Sequence, residues 1–153
     1  MTALKADKFL GWDLTYPTPK NFYLEATLKT GDCSGLDRYG LVLRASNYSD
    51  AKGYFLGFSC DGQYELLTWD SSTFTEVQAW KPASGLLAGG NQTNRIGVMV
   101  NGNQFTVYAN GGLVGEINDS TYPDAGHFGL FLTSANTAGF NVTLSNIAYW
   151  EIK

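Results

Sequence analysis

The sequence predicts an all-β protein built as a two-sheet antiparallel β-sandwich or jelly roll, and three observations carry that reading. Apolar residues recur with a period of two, and no stretch shows the 3.6-residue period of a helix. Asp61-Gly62, Asn101-Gly102 and Asn110-Gly111 punctuate these stretches, and such pairs supply the positive φ of tight hairpin turns at the least steric cost. The chain has 153 residues, of which 44% are hydrophobic and only 16% charged, with 18 glycines; this is enough apolar material for one core and no alternating helices for an α/β fold.

Taken in order, Phe22, Leu24, Ala26 and Leu28 alternate with Tyr23, Glu25, Thr27 and Lys29, the pattern of a half-buried strand. Tyr39, Leu41 and Leu43 then alternate with Gly40, Val42 and Arg44. Residues 53–69 read as one hairpin about Asp61-Gly62, with Tyr54, Leu56 and Phe58 on its apolar side and Phe55, Gly57 and Ser59 opposite. The stretch from Pro82 to Gln92, rich in glycine, reads as a crossing loop pinned by Leu86 and Leu87. Residues 94–109 form a second hairpin about Asn101-Gly102, with Ile96, Val98 and Val100 on one parity, and Asn110-Gly111 leads into a third arm at 113–117. Late strands follow at 126–133 and 140–152; in the last, Val142, Leu144, Ala148, Trp150 and Ile152 share a parity. About ten strands result, read as a single domain over 1–153.

Ten Lys and Arg against fourteen Asp and Glu leave a net charge of −4, the wrong sign for tracking phosphates, so no nucleic acid and no membrane insertion is expected. No apolar run approaches the roughly 20 residues of a membrane span. Met1 to Asp7 lack the apolar centre of a signal peptide, and the start reads as a domain excised from a larger protein.

The order of short motifs is more specific than any one of them. Tyr39-Gly40-Leu41-Val42-Leu43-Arg44, Gly53-Tyr54-Phe55-Leu56, Cys60-Asp61-Gly62-Gln63-Tyr64 and Asn94-Arg95-Ile96-Gly97-Val98 are followed by Val107-Tyr108-Ala109-Asn110-Gly111, Gly126-His127-Phe128-Gly129-Leu130-Phe131 and the closing Tyr149-Trp150. Over residues 20–152 this resembles the concanavalin A-like lectin/glucanase superfamily, and within it the laminin-G-like jelly-roll modules of bacterial extracellular proteins. The resemblance implies two antiparallel sheets. It implies no single activity, because that superfamily holds lectins, hydrolases, adhesion modules and spacers.

Cys33 and Cys60 are the only cysteines, one just past strand 22–30 and one just before the Asp61-Gly62 turn. A disulfide is the first reading; it would stabilise the fold by roughly 3 to 4 kcal/mol and belong to an oxidising compartment. The alternative is two unpaired buried thiols. Two cysteines and the lone His127, without close spacing, do not make a zinc site. Glucanases of the resembled superfamily carry two Glu and an Asp at alternate positions of one strand. The nearest approach here, Glu116-Ile117-Asn118-Asp119, puts its carboxylates on opposite parities, and a lone histidine leaves triad chemistry short of parts. No enzyme is expected.

Binding has more of its parts. Strand parity sends Arg44, Phe55, Glu65, Trp69, Arg95 and Phe131 to the faces opposite the apolar stripes, beside Gly40, Gly57, Gly97 and Gly129. If that is the concave sheet, Trp69 and Phe55 stack on sugar rings while Arg44, Arg95 and Glu65 hydrogen-bond hydroxyls. The plainer alternative makes Arg44 and Glu65 a cross-strand ion pair and lets Phe55 and Trp69 shield the sheet beneath a loop. Trp12 and Trp80, near strand ends, read as lids on the core. Calcium occurs at the rim of many relatives of the resembled superfamily, and Asp32, Asp37, Asp50, Asp119 and Asp124 lie in loops, without Asp-x-Asp-x-Asp spacing. Loop aspartates more commonly make Asx turns.

The expectation is therefore a non-catalytic module, extracellular or on the cell surface and attached to other domains, that binds a glycan through its concave sheet face. The alternatives are a structural or adhesion domain that engages an extracellular protein, and a glycoside hydrolase.

Overall fold

The structure, a computed structural model, describes residues 10–153 and the backbone of residues 2–6. The described residues form twelve strands in two six-stranded antiparallel sheets. The first sheet has the order β1 (Thr2–Ala6), β12 (Phe140–Glu151), β3 (Phe22–Thr30), β8 (Thr93–Asn101), β9 (Gln104–Ala109) and β10 (Gly112–Asn118). The second has the order β2 (Leu10–Leu14), β11 (His127–Thr133), β4 (Arg38–Ala45), β5 (Gly53–Ser59), β6 (Gln63–Trp69) and β7 (Phe74–Pro82). Alternation does the work the sequence predicts. Phe22, Leu24, Ala26, Leu28, Ile96, Val98, Val100, Phe105 and Val107 of the first sheet meet Tyr39, Leu41, Leu43, Tyr54, Leu56, Phe58, Leu66, Phe128, Leu130 and Leu132 of the second in one buried cluster.

Three strands escape the sequence reading. β1, β2 and β7 are edge or near-edge strands; β7 is half polar and has two register shifts against β6, so it shows no clean alternation. A bulge between Leu144 and Asn146 also shifts the parity of β12. Beyond it Ile147 and Tyr149 pack on the core, while Trp150, which shares the parity of Val142, is 55% exposed.

The turns follow their glycines. Asn110 and Gly111 both have positive φ, 51° and 84°, as a two-residue type I′ hairpin requires. In the β8–β9 hairpin the paired residues are Asn101 and Gln104, so the turn is centred on Gly102-Asn103 rather than Asn101-Gly102, with Gly102 alone at positive φ. In the loop after β7, Leu86 packs against the core but Leu87 is 52% exposed. What holds Leu87 is its backbone: Leu87 N–H donates to Asn94 Oδ1 (2.9 Å) and Asn94 Nδ2 donates to Leu87 O (3.0 Å).

Cys33 and Cys60 form a disulfide with Cα atoms 5.9 Å apart. It ties the β3–β4 loop to the β5–β6 turn. Beside it Asp37 is fully buried and accepts from the N–H groups of Ser34, Ala135, Asn136 and Thr137 at 2.6–3.0 Å. Burial works to raise the pKa of its carboxyl, but these hydrogen bonds outweigh burial and hold it below the ordinary value.

Candidate functional site

The outward face of the second sheet carries a compact cluster of its own. Val42, Ala45, Ala51, Phe55, Leu67 and Phe131 are buried there, with Leu10, Trp12, Leu14, Trp69 and Phe74 packed over them. Phe55 lies at the centre, its ring 4.8 Å from Phe131, 5.3 Å from Phe74 and 6.4 Å from Trp69. Five of the six strands bring an aromatic to this face, Trp12, Phe131, Phe55, Trp69 and Phe74, and the rings have closed over one another, since burying each is worth about 1.5–3 kcal/mol. Two indoles fasten the β4–β5 loop to this face: Trp12 Nε1 donates to Tyr48 O (3.2 Å) and Trp69 Nε1 to Asp50 O (2.6 Å).

One ion pair is set into this apolar layer. Arg38, at the start of β4, reaches across Gly57 to hydrogen-bond Glu65 on β6. A Cβ on Gly57 would sit 2.9 Å from Arg38 Cδ, so the absent side chain is the channel through which the arginine passes. The guanidinium lies 5.7 Å from the Phe74 ring centre and 5.8 Å from that of Trp80, within cation–π range of both. The Glu65 side chain is only 4% exposed; burial raises its pKa and Arg38 opposes that rise. Arg38 Nε and Thr133 Oγ1, from directly paired positions on β4 and β11, are buried without a hydrogen-bond partner, as is Gln78 Nε2 on edge strand β7. These are polar atoms without a partner among the described residues, and leaving them so is a cost to this face.

The five residues expected to line one site do not come together. Phe55, Glu65 and Trp69 do share this face, but Phe55 is fully buried and offers no stacking surface. Arg95 lies on β8 of the other sheet, 4.0 Å from Glu25. Arg44 leaves the face altogether. A bulge opposes Leu43 and Arg44 to Phe128, and Arg44 takes the left-handed backbone conformation, φ 54°. Its side chain turns under the β10–β11 loop, so the partner of Glu65 is Arg38 and not Arg44. Strand parity marks Arg38 too, two residues before Gly40 on the outward row. Trp80, expected as a core lid, stands over Arg38 instead, and among the described residues nothing accepts its indole N–H.

Arg44 forms the floor of a pocket of about 260 Å³ at one end of the sandwich, lined also by Ser46, Lys52, Thr121, Tyr122 and Asp124. The pocket walls are fixed. Tyr54 Oη donates to Asp119 Oδ1 (2.7 Å), Tyr122 N–H donates to Tyr54 Oη (3.1 Å), and Tyr122 Oη donates to Trp69 O (3.0 Å). Burial pushes the Tyr54 hydroxyl up to about 12.

Four of the five loop aspartates expected at a calcium rim, all but Asp124, hydrogen-bond within the chain. Asp37 is consumed by its turn, Asp119 by Tyr54 and Thr121, Asp50 by Lys52 N–H and Ser71, and Asp32 by Asn91. Among the described residues no three acidic, histidine or cysteine side chains converge on one point.

No family model and no curated protein matches the chain. Solved structures do. A carbohydrate-binding module, CBM66 from Bacillus subtilis, is 16% identical with a TM-score of 0.75, over 97% of this chain and 91% of that one. The exoplasmic/lumenal domain of VIP36 in its Ca2+/Man3GlcNAc-bound form is 11% identical with a TM-score of 0.66, over 93% and 73% of the two chains. Sheep galectin-11 in complex with glycerol is 8% identical with a TM-score of 0.60, over 95% and 98%. At these identities the likeness is one of fold: the chain is a concanavalin A-like jelly-roll sandwich.

Proposed function

We propose that this protein is a non-catalytic carbohydrate-binding module that takes its glycan on the outward face of the second sheet, around Arg38, Phe74, Trp80 and Trp69. The observation that carries this reading is the set of partly exposed rings, Phe74, Trp80 and Trp69, gathered about the Arg38 guanidinium, whose side chain keeps 20% exposure. Sugars present that combination in reverse, with apolar C–H faces for rings and hydroxyls for fixed donors and acceptors. The likeness to CBM66, a carbohydrate-binding module, and to VIP36, whose structure holds Man3GlcNAc, supports the same reading.

Glu65 argues against catalysis on this face. A glycosidase acid has to reach the scissile bond, with its partner carboxylate about 5–9.5 Å away across a cleft. Glu65 is covered and held by Arg38, which makes it a counter-ion. The disulfide supports an extracellular or cell-surface setting. A glycan-array screen of the oxidised protein tests the proposal. Saturable binding to a defined glycan, weakened about tenfold by Trp80→Ala with folding intact, is the expected result. Binding to no glycan, or a hit indifferent to both Trp80→Ala and Trp69→Ala, would transfer the role to protein partners.

A further inference from the structure

The Arg44 pocket is lined by residues other than those of the Arg38 face, which it adjoins through the Tyr122–Trp69 hydrogen bond, and has a chemistry of its own. Arg44 is 3% exposed, so its charge is almost wholly withdrawn from water. Its guanidinium is held by neutral oxygens only: Nε and Nη2 donate to Lys20 O (3.1 and 2.8 Å), Nη1 donates to Tyr122 O (3.2 Å), and Nη2 has a long contact of 3.5 Å to Asn21 Oδ1. Among the described residues the ion pairs are Arg38–Glu65 and Arg95–Glu25, and Arg44 belongs to neither. Five N–H groups meet four acceptor contacts, which leaves one N–H on Nη1 free. Asp124 on the pocket wall acts on the guanidinium without forming an ion pair with it among the described residues, and a buried cation so weakly compensated is costly unless something supplies further negative charge.

The fold holds this arginine in place against local preference. Arg44 sits at a bulge with φ 54°, and a Cβ on Gly126 would lie 2.5 Å from the Arg44 carbonyl carbon, so only glycine lets the β11 entry pass this close. Strained, over-determined positions of this kind gather at binding sites. The pocket mouth adds a second cation, Lys52, and a mixed polar rim of Ser46, Thr121 and Asp124. Two cations against one carboxylate leave the pocket net positive in a chain whose net charge is −4.

We infer that this pocket binds the carboxylate of a sugar acid, with Arg44 and Lys52 on the carboxylate and Ser46, Thr121 and Asp124 on the neighbouring hydroxyls. One oxygen of the acid group accepts the free Nη1–H of Arg44 while Lys52 faces its charge, and the hydroxyl and carboxylate rim suits an alcohol-rich body. The site is independent of the glycan face proposed above, so either can fail without the other.

Glucuronate, glucose and acetate titrated into the protein and followed by amide chemical shifts test it. Glucuronate is expected to saturate, to shift Lys52 and Thr121, and to weaken as salt is added. Glucose and acetate are expected to bind at least about tenfold more weakly, each having half of the recognised chemistry. Lys52 is exposed, so Lys52→Ala leaves the fold alone; it should weaken glucuronate about tenfold, and Lys52→Arg should restore it. Arg44→Met should abolish binding, with the exposed Lys52 variant standing as the test should Arg44→Met not fold. No saturation by glucuronate, glucose binding as tightly as glucuronate, acetate doing so, or an affinity unmoved by Lys52→Ala would each overturn the assignment.

Discussion

The two sheets turn the same alternating pattern into two different outer faces. On the first sheet Tyr23, Glu25, Thr27, Lys29, Arg95, Tyr108 and Trp150 stand outward and remain half-buried or exposed. Tyr23 touches Tyr108 and Trp150, its ring centres 5.9 and 5.7 Å away, but the layer stays wet and its ion pair Arg95–Glu25 is loose. On the second sheet the outward row is Val42, Phe55, Leu67 and Phe131, which bury themselves as a second small core with an ion pair embedded in it. The difference teaches that outward is a statement about the backbone, not about water. Solvation depends on how much apolar area the outward row has to hide and on whether edge strands bring rings to hide it.

That contrast can be broken first by truncation. Phe55→Ala should destabilise the protein by about 3–5 kcal/mol in chemical denaturation, whereas Trp150→Ala on the opposite face should cost less than about 1 kcal/mol. Equal losses would mean that the two faces are alike after all.

The ion pairs sharpen it next. Arg38→Met strands a buried carboxylate and should cost about 3–5 kcal/mol at neutral pH, against less than about 1 kcal/mol for Arg95→Met. The pH dependence has a definite sign. Burial raises the folded pKa of Glu65 above its unfolded value, and removal of Arg38 raises it further. The folded state then binds a proton more readily than the unfolded one, so stability is fully present below the unfolded pKa and lost as pH rises through the folded one. The deficit of Arg38→Met should therefore shrink on acidification, and that of Arg95→Met should not. At the disulfide end the sign reverses: Asp37, whose pKa is lowered, contributes stability that fades as pH falls through its folded pKa, and Asp37→Asn should flatten that acid limb.

The smallest expected effect on stability is the most telling for binding. Trp80→Ala should move the denaturation midpoint little, since the indole is partly exposed at an edge strand, yet should weaken glycan binding about tenfold.

Much of this architecture was legible in the sequence. The central strands and the inward rows follow from alternation and turn chemistry, the Cys33–Cys60 disulfide is the first of two readings of the only two cysteines, and the solved-structure likenesses agree with the resemblance on the fold. The site was legible only as a list of outward residues. Parity cannot reveal the bulge that turns Arg44 off the face, nor assign Arg95 to the other sheet, nor tell that Phe55 is roofed by Trp69 and Phe74. Those outcomes depend on register shifts and on which strands become neighbours, and both are long-range. The β7 strand that supplies Phe74 and Trp80 was missed for the same reason, because its two register shifts erase the period of two.

The most direct test of the central claim is a map of amide, indole and guanidinium proton shifts during titration with whichever glycan the array selects. The account predicts that the Arg38 Nε–H and the Trp80 and Trp69 indole signals move together and saturate, while Tyr23, Tyr108 and Trp150 on the opposite face stay still. Shifts centred on Trp150 and Tyr108, with Arg38 unmoved, would contradict it.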